Sequence, residues 1–431
     1  MQQPLTTLTS NMIADGIRFS RVSDEKFKSS RISVNLIVPL KKETASVNAI
    51  LPLLWQKGCR SYPDFTMLNR HLDDMYGASL YGDILKFGGY QILTLSVSGL
   101  ADRFTMENRK LVREYACLLC DLILDPKITD QAFDAKDIET EKLNLLDIID
   151  SEINDKRTYS IGKCLSSMFE GTSSAIRKLG TRSDAENITP ESAAAAYADV
   201  ISNAAVEVLF VGCEGADDAY AVFAERFAHL TRTPIHYDPL PPVIPARITR
   251  YLSEKMEVTQ GKLVMAFRGA TDLSHREKLA ARVMSAMFGG TPFSLLFKGV
   301  REKLSLCYYC ASRYDRGTGT LVVDSGVEFE NAESARTEIL RQFEDIKNGI
   351  FTDEDLTFTI LAMKNSLRSI RDSLSSIESW YTTQLLTCSN LSPEDETALI
   401  DTITREEVVE AARHFELDTV FLLEGETTDE T

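Results

Sequence analysis

Between Phe288 and Tyr308 the sequence sets a glycine pair, Gly289-Gly290, ahead of Arg301-Glu302-Lys303, with Tyr308 seven residues after the arginine. A guanidinium fork and a phenol can each donate a hydrogen bond to a peptide carbonyl, and arginine keeps its charge at any relevant pH. Two residues without Cβ atoms allow an extended polypeptide to lie close to the backbone. Arg301, Tyr308, Gly289 and Gly290 are residue types that suit the holding of an extended peptide. The plainer account is an amphipathic helix with Phe297, Val300 and Leu304 turned inward and the charged run solvated. Both can hold at once, because they use different sides of one helix.

Other chemistry finds little support. No GxSxG elbow, P-loop or dinucleotide fingerprint occurs. Two Cys-x-x-Cys pairs, Cys117/Cys120 and Cys307/Cys310, each lie in an apolar run and read as buried thiols, with a redox pair or half a zinc site as the alternative. His71 shares a helix face with Asp74 alone, and two ligands do not make a catalytic zinc site. His229, His236, His275 and His414 are scattered among charged or linker residues.

The elements that must position these residues follow from length and pattern. At 431 residues the chain is too long for one ordinary core, and 44% hydrophobic with 26% charged residues fits a soluble globular protein. A net charge of -17 argues against a nucleic-acid partner, whose phosphates need clustered Lys and Arg. The first 24 residues carry no apolar stretch of signal-peptide length, and no run approaches a membrane span. The expectation is a cytoplasmic chain with no membrane contact and reduced cysteines.

Five prolines between Pro234 and Pro245 fix φ repeatedly and remove backbone donors, which marks 234–247 as a linker between domains at 1–233 and 248–431. The two halves echo each other. Thr189 and Thr404 are N-cap candidates for helices that lead into apolar strands at Val206–Gly212 and Val420–Gly425. Ile128-Thr129-Asp130 and Phe351-Thr352-Asp353 head long helical stretches through Asp150 and Ser376. Alternating strands at Ile92–Ser98 and Thr320–Ser325, with Ile32–Val38 and Leu263–Phe267, complete the correspondence. The simplest architecture is α+β: two homologous half-units, each an antiparallel sheet backed by helices, forming a clamshell.

With these residues in view, the run Phe288-Gly289-Gly290 through Leu296-Phe297, Arg301-Glu302-Lys303 and Ser305-Leu306-Cys307-Tyr308 resembles the C-terminal signature of the insulinase/pitrilysin-like zinc peptidases. That signature reads as a glycine pair, Leu-Phe, Leu-Arg-Glu-Lys and Gly-Leu-Ala-Tyr. The resemblance implies that Arg301 and Tyr308 orient a substrate backbone. It also implies a His-x-x-Glu-His zinc motif ahead of Lys57-Gly58, but counting back places Ala49, Pro52 and Leu53 at its three functional positions. The family's third ligand follows Glu141 by seven residues and falls on Ile148. None of these four side chains binds zinc or takes a proton, so no metal or other cofactor is expected in this chain.

The match is closer to a subgroup known as YfmF-like, associated with elongation factor P modification. It is carried by Asp73 to Gly82, by Glu141-Lys142-Leu143 through Asp155-Lys156-Arg157, and by Val300 to Ser312. Members of that subgroup lack the zinc motif and are typically found beside a zinc-bearing relative. The resemblance thus implies a non-catalytic, substrate-orienting subunit of a two-subunit peptidase, with zinc in the homologous partner and a polypeptide as substrate. Its rivals are a non-proteolytic polypeptide-binding or scaffold protein using the same clamshell, and an independently active hydrolase with a site outside the family pattern.

Overall fold

A computed structural model describes residues 7–106, 108–238, 248–270 and 272–425. The expected linker at 234–247 is therefore described only as far as residue 238, and the rest of it lies outside these residues. Two compact units emerge. Unit 1 takes the chain through Asp150, then Ile176–Pro239 and Ile370–Ser392; unit 2 takes Ser151–Ala175, Leu240–Ser369 and the chain from Pro393 onward.

Unit 1 is built on strands β1 (Thr9–Ala14), β2 (Ile17–Ser23), β3 (Ser29–Pro39), β4 (Ser79–Phe87) and β5 (Tyr90–Leu100). A two-residue hairpin, β6 (Ile128–Thr129) and β7 (Ala132–Phe133), stands apart from the main sheet, which β8 (Ala205–Gly212) completes. The order is β1-β2-β8-β3-β5-β4, antiparallel except for the β2/β8 pair. Alternation decides which face each side chain takes. Ile32, Val34, Leu36 and Val38 of β3 and Leu93, Leu95 and Val97 of β5 join one core with helices Leu111–Leu124, Ala135–Asn154, Pro190–Asn203 and Ala216–Phe227. Each such aliphatic side chain contributes roughly 1.5–3 kcal/mol by leaving water. The opposite face meets one helix, Leu374–Leu386, through Ile377, Tyr381 and Leu385 against Val22, Leu209 and Val211.

Unit 2 repeats the plan with β9 (Arg250–Met256), β10 (Gly261–Arg268), β11 (Cys307–Asp315), β12 (Thr320–Val327) and β13 (Glu416–Gly425). Its order, β11-β12-β10-β13-β9, reproduces β4-β5-β3-β8-β2 strand for strand, and the parallel pair β13/β9 occupies the place of β8/β2. Such agreement in order and direction supports a duplicated half-unit more firmly than short sequence echoes do. One face packs around Phe267, Phe288 and Phe343, whose ring centroids lie 4.9 and 5.2 Å apart across Phe343. The other face again meets one helix, Lys156–Met168, with Cys164 and Met168 against Val264, Ala266, Phe421 and Leu423.

The two expected N-caps close as capping boxes. The Thr189 hydroxyl accepts from Ser192 N–H at 3.2 Å, and Thr404 N–H donates to Glu407 at 2.8 Å. The long helical stretches differ from expectation at their ends. Asp130 and Gln131 take left-handed φ values of 51° and 62°, forming the β6/β7 hairpin turn, so the helix starts only at Ala135. In the second half the helix stops at Ser369, and Ser376 belongs to a new helix capped by Ser373. Among the described residues no helix is long and apolar enough to cross a membrane.

Candidate functional site: the Ala45–Trp55 segment and the edge strand

In unit 1 the segment expected to carry a zinc motif is two short helical turns, Ala45–Ala49 and Leu51–Trp55, with Pro52 in the first turn of the second. Ala49 is fully buried, Pro52 is buried, and Leu53 packs half-buried against the same core. Ile148 sits on the Ala135–Asn154 helix and is 39% exposed. Residues near these positions have structural work to do. Lys57 pairs with the buried Glu141 carboxylate at 2.6 Å, and Asn144 Nδ2 donates to the same carboxylate at 2.9 Å. Gly58 has φ +132°, and a Cβ there would stand 2.1 Å from the Tyr62 carbonyl oxygen.

His71 does not face a ligand partner. Its ring stacks on Tyr62 at 4.4 Å, burial lowers its pKa, and the Asp74 carboxylate is engaged by Arg109 at 2.9 Å. Among the described residues no group of three His, Cys, Asp or Glu side chains is arranged to hold a metal ion.

In unit 2 the helix His275–Ser285 runs into a wide π-helical turn, Ala286–Gly290. Its two glycines have different surroundings. A Cβ on Gly289 would stand 2.5 Å from Ser312 N and 3.0 Å from Ala311 C, so this glycine lets the helix end pack on β11. Gly290 is exposed, and nothing comes nearer than 3.5 Å to its virtual Cβ.

A second π-helical turn spans Phe297–Lys303, with Leu304 N–H reaching back five residues to the Gly299 carbonyl at 3.2 Å. The wider turn alters the expected inner face. Val300 is fully buried and Phe297 half-buried, but Leu304 swings outward and is 44% exposed. Arg301 is exposed with its guanidinium 4.7 Å over the Phe297 ring. Ser305 then takes a left-handed φ of 52° where the family signature has glycine.

Strand β11 lies at the edge of its sheet, hydrogen-bonded only to β12. Its register shifts between Cys307 and Tyr309, a β-bulge that leaves Tyr308 without a cross-strand partner. Tyr308 is 59% exposed, and its hydroxyl donates to the Glu328 carboxylate, which raises the phenol's pKa. Its neighbour Tyr309 is covered by cations instead, with Arg157 at 4.6 Å and Lys262 at 5.7 Å from the ring. Arg157 also grips the buried Asp324 through two nitrogens, Nη2 at 3.2 Å. Sequence reasoning missed the Glu328 partner and the Arg157–Asp324–Tyr309 cluster; the glycine replaced at Ser305 was the available sign of a left-handed turn.

Unit 1 also contains a groove of about 960 Å³ between the β4-β5-β3 face and the Leu374–Leu386 helix. Asn35, Tyr81, Thr94, Ser96 and Thr382 line it, and the Arg31–Glu378 ion pair crosses it.

Comparison with known proteins agrees with this geometry. The family described as peptidase M16 inactive domain matches residues 187–363. The probable inactive metalloprotease YmfF of Bacillus subtilis (strain 168) is 28% identical over 416 residues, covering 95% of this chain and 96% of that protein. These two matches support the non-catalytic insulinase-like family as the one this chain resembles. Among solved members of this fold, a conserved protein from Enterococcus faecalis V583 superposes with a TM-score of 0.88 at 26% identity, covering 98% of this chain and all 100% of the other. A peptidase M16 inactive domain from Pseudomonas fluorescens gives a TM-score of 0.80 at 16% identity over 98% of this chain and 99% of that one, a likeness of fold.

Proposed function

We propose that this insulinase-like chain is the substrate-orienting, non-catalytic subunit of a two-subunit zinc peptidase. A homologous partner would supply the zinc and the bond breaking, in the cytoplasm, and the process served would be modification of elongation factor P. One contrast supports the reading: Arg301 and Tyr308 stand exposed beside an edge strand, while positions 49, 52, 53 and 148 carry Ala, Pro, Leu and Ile. A subunit that only positions a chain still accelerates cleavage, because a correctly held substrate needs no further ordering before reaction. Gly290, open above its Cβ position, would belong to the same substrate-binding surface, and Gly289 would pack that segment against β11.

The test is to mix the purified chain with its zinc-bearing homologue and follow cleavage of an unstructured polypeptide. Cleavage by the mixture alone, reduced by about 5- to 100-fold in Arg301→Ala or Tyr308→Phe, supports the proposal, since each deletion removes one hydrogen bond to the substrate worth roughly 1–3 kcal/mol. Absence of a complex, or cleavage indifferent to both substitutions, overturns it.

The hydroxyl-rich groove of unit 1 favours a second reading, a non-proteolytic polypeptide-binding or scaffold protein. In that case the same mixture binds the polypeptide tightly and leaves it uncut.

A further inference from the structure

We propose that Cys307 and Cys310 form a thiol–disulfide exchange site that takes a small disulfide of the glutathione class and closes an intrachain disulfide within β11. In a regular strand, residues three apart point to opposite faces. Here the bulge removes that separation. Cys307 stands opposite Val327 and Cys310 opposite Ser325, two partners that are themselves two residues apart and so share one face of β12. The unpaired residue that makes this possible is Tyr308.

The two side chains therefore share one face of the sheet. The thiols of Cys307 and Cys310 and the Ser325 hydroxyl influence one another, and the positive charge of Arg301 favours the Cys307 thiolate. The effect on the pair is unequal: Cys307 is lowered to about 7, chiefly by the bond from Cys310, whereas Cys310 is raised by that same bond and by burial. An attacking thiolate beside a protonated resolving thiol is the division of labour that exchange requires.

Access is narrow, since Cys307 is 9% and Cys310 7% exposed, but it opens at a favourable place. Cys307 begins an edge strand, between exposed Ser305 and exposed Tyr308, and the turn before it rests on a left-handed serine. The other Cys-x-x-Cys pair contrasts with it. Cys117 and Cys120 lie on the Leu111–Leu124 helix, Cys120 is fully buried in the unit 1 core, and burial raises both thiols.

The step balances as follows. The Cys307 thiolate attacks one sulfur of oxidised glutathione, forming a mixed disulfide and expelling one glutathione thiolate. Cys310 then loses its proton and attacks Cys307 Sγ, expelling the second. The protons of the two protein thiols end on two glutathione molecules, the protein pair is oxidised, and one glutathione disulfide is reduced.

To test this, the reduced full-length chain is equilibrated with oxidised glutathione, quenched with acid, alkylated and mapped by peptide mass spectrometry. The expected result is loss of two hydrogens confined to the peptide carrying Cys307 and Cys310, with exposed Cys388 taking only a glutathione adduct. In Cys310→Ser the adduct is expected to be trapped on Cys307, and in Cys307→Ser the Cys310 thiol is expected to stay free. The wild-type map needs no substitution, so misfolding of either variant leaves it decisive. Full alkylation of Cys307 and Cys310 while Cys388 carries glutathione overturns the proposal, as does a disulfide found at Cys117 and Cys120 instead.

Discussion

Two adjacent glycines offer a direct separation of packing from substrate contact. Gly289 and Gly290 both avoid left-handed φ, so alanine is conformationally allowed at each. At Gly289 an added methyl would lie 2.5 Å from Ser312 N and 2.9 Å from Leu296 Cδ1, against 3.4–4 Å for ordinary contact. Nearly 1 Å must be opened between the helix end and the backbone of β11, and a hydrogen-bonded strand yields less readily than a side chain. Overpacking of this kind costs about 1–3 kcal/mol, offset by about 0.4–1 kcal/mol from a less flexible unfolded chain. Gly289→Ala is thus expected to lose about 1–2 kcal/mol, read as a lower urea midpoint at unchanged slope. Gly290→Ala meets nothing closer than 3.5 Å, so the unfolded-state effect alone should leave stability equal or slightly higher. If Gly290 faces the substrate, the same methyl weakens polypeptide binding in the mixture with the zinc-bearing homologue. A Gly289→Ala chain as stable as wild type would refute the close-packing argument, and a clear loss of stability in Gly290→Ala would refute its openness.

Lys57→Ala strands the Glu141 side chain, 6% exposed, with Asn144 as its remaining partner. Because Lys57 is itself 26% exposed, the expected loss is about 2–3 kcal/mol, the lower end for a buried pair, measured by urea denaturation. His71 and His275 are both lowered from 6.5 by burial, so the folded state binds fewer protons than the unfolded. Their contribution is therefore complete above 6.5 and declines as pH falls below it, and His71→Gln with His275→Gln should flatten the urea midpoint between about pH 7.5 and 5.5. Rebuilding the motif as Ala49→His, Pro52→Glu, Leu53→His and Ile148→Glu should cost stability by about 1–3 kcal/mol, since an imidazole must enter a fully buried alanine site. That variant is expected to hold no stoichiometric zinc by elemental analysis; tight zinc binding would show that the cavity had been preserved.

Much of the fold is legible in local chemistry. Thr189 and Thr404 announce their helices because a hydroxyl that bonds its own backbone acts within four residues. Central strands β3 and β5 are readable from their alternation, and β10 and β12 from short apolar runs buried on both faces. Edge strands β4, β9 and β11 are not, since their outward residues are half-exposed and polar, as in Arg250–Met256. The π-helical turns leave no periodic mark, so Leu304 reads as core when it is exposed. Least legible is the placement of Lys156–Met168 on the second sheet and Leu374–Leu386 on the first, which depends on burial partners about 100 and 170 residues away, such as Cys164 with Val264 and Leu385 with Leu209.

The residues around position 50 follow a physical rule. Lys57, Gly58 and Glu141 each have a neighbour that fails without them: a buried charge, a carbonyl 2.1 Å from a missing Cβ, and a lysine counter-ion. Imidazole and carboxylate groups at positions 49, 52 and 53 would have no such neighbour without a metal. They would be polar atoms without partners, whereas Ala49, Pro52 and Leu53 carry no such penalty and are buried or half-buried in apolar surroundings. Ile148, 39% exposed, shows the limit of the gain, because a position that cannot reach the core profits little from becoming apolar. Arg301 and Tyr308 behave differently again. Both are exposed, so the fold draws little from either side chain: Arg301 lies over Phe297 and Tyr308 contacts Glu328, both in reach of water. The cleavage assay on Arg301→Ala and Tyr308→Phe, run beside urea denaturation, distinguishes a holding role from a structural one: holding predicts lost cleavage with nearly unchanged midpoints, and a structural role predicts the reverse.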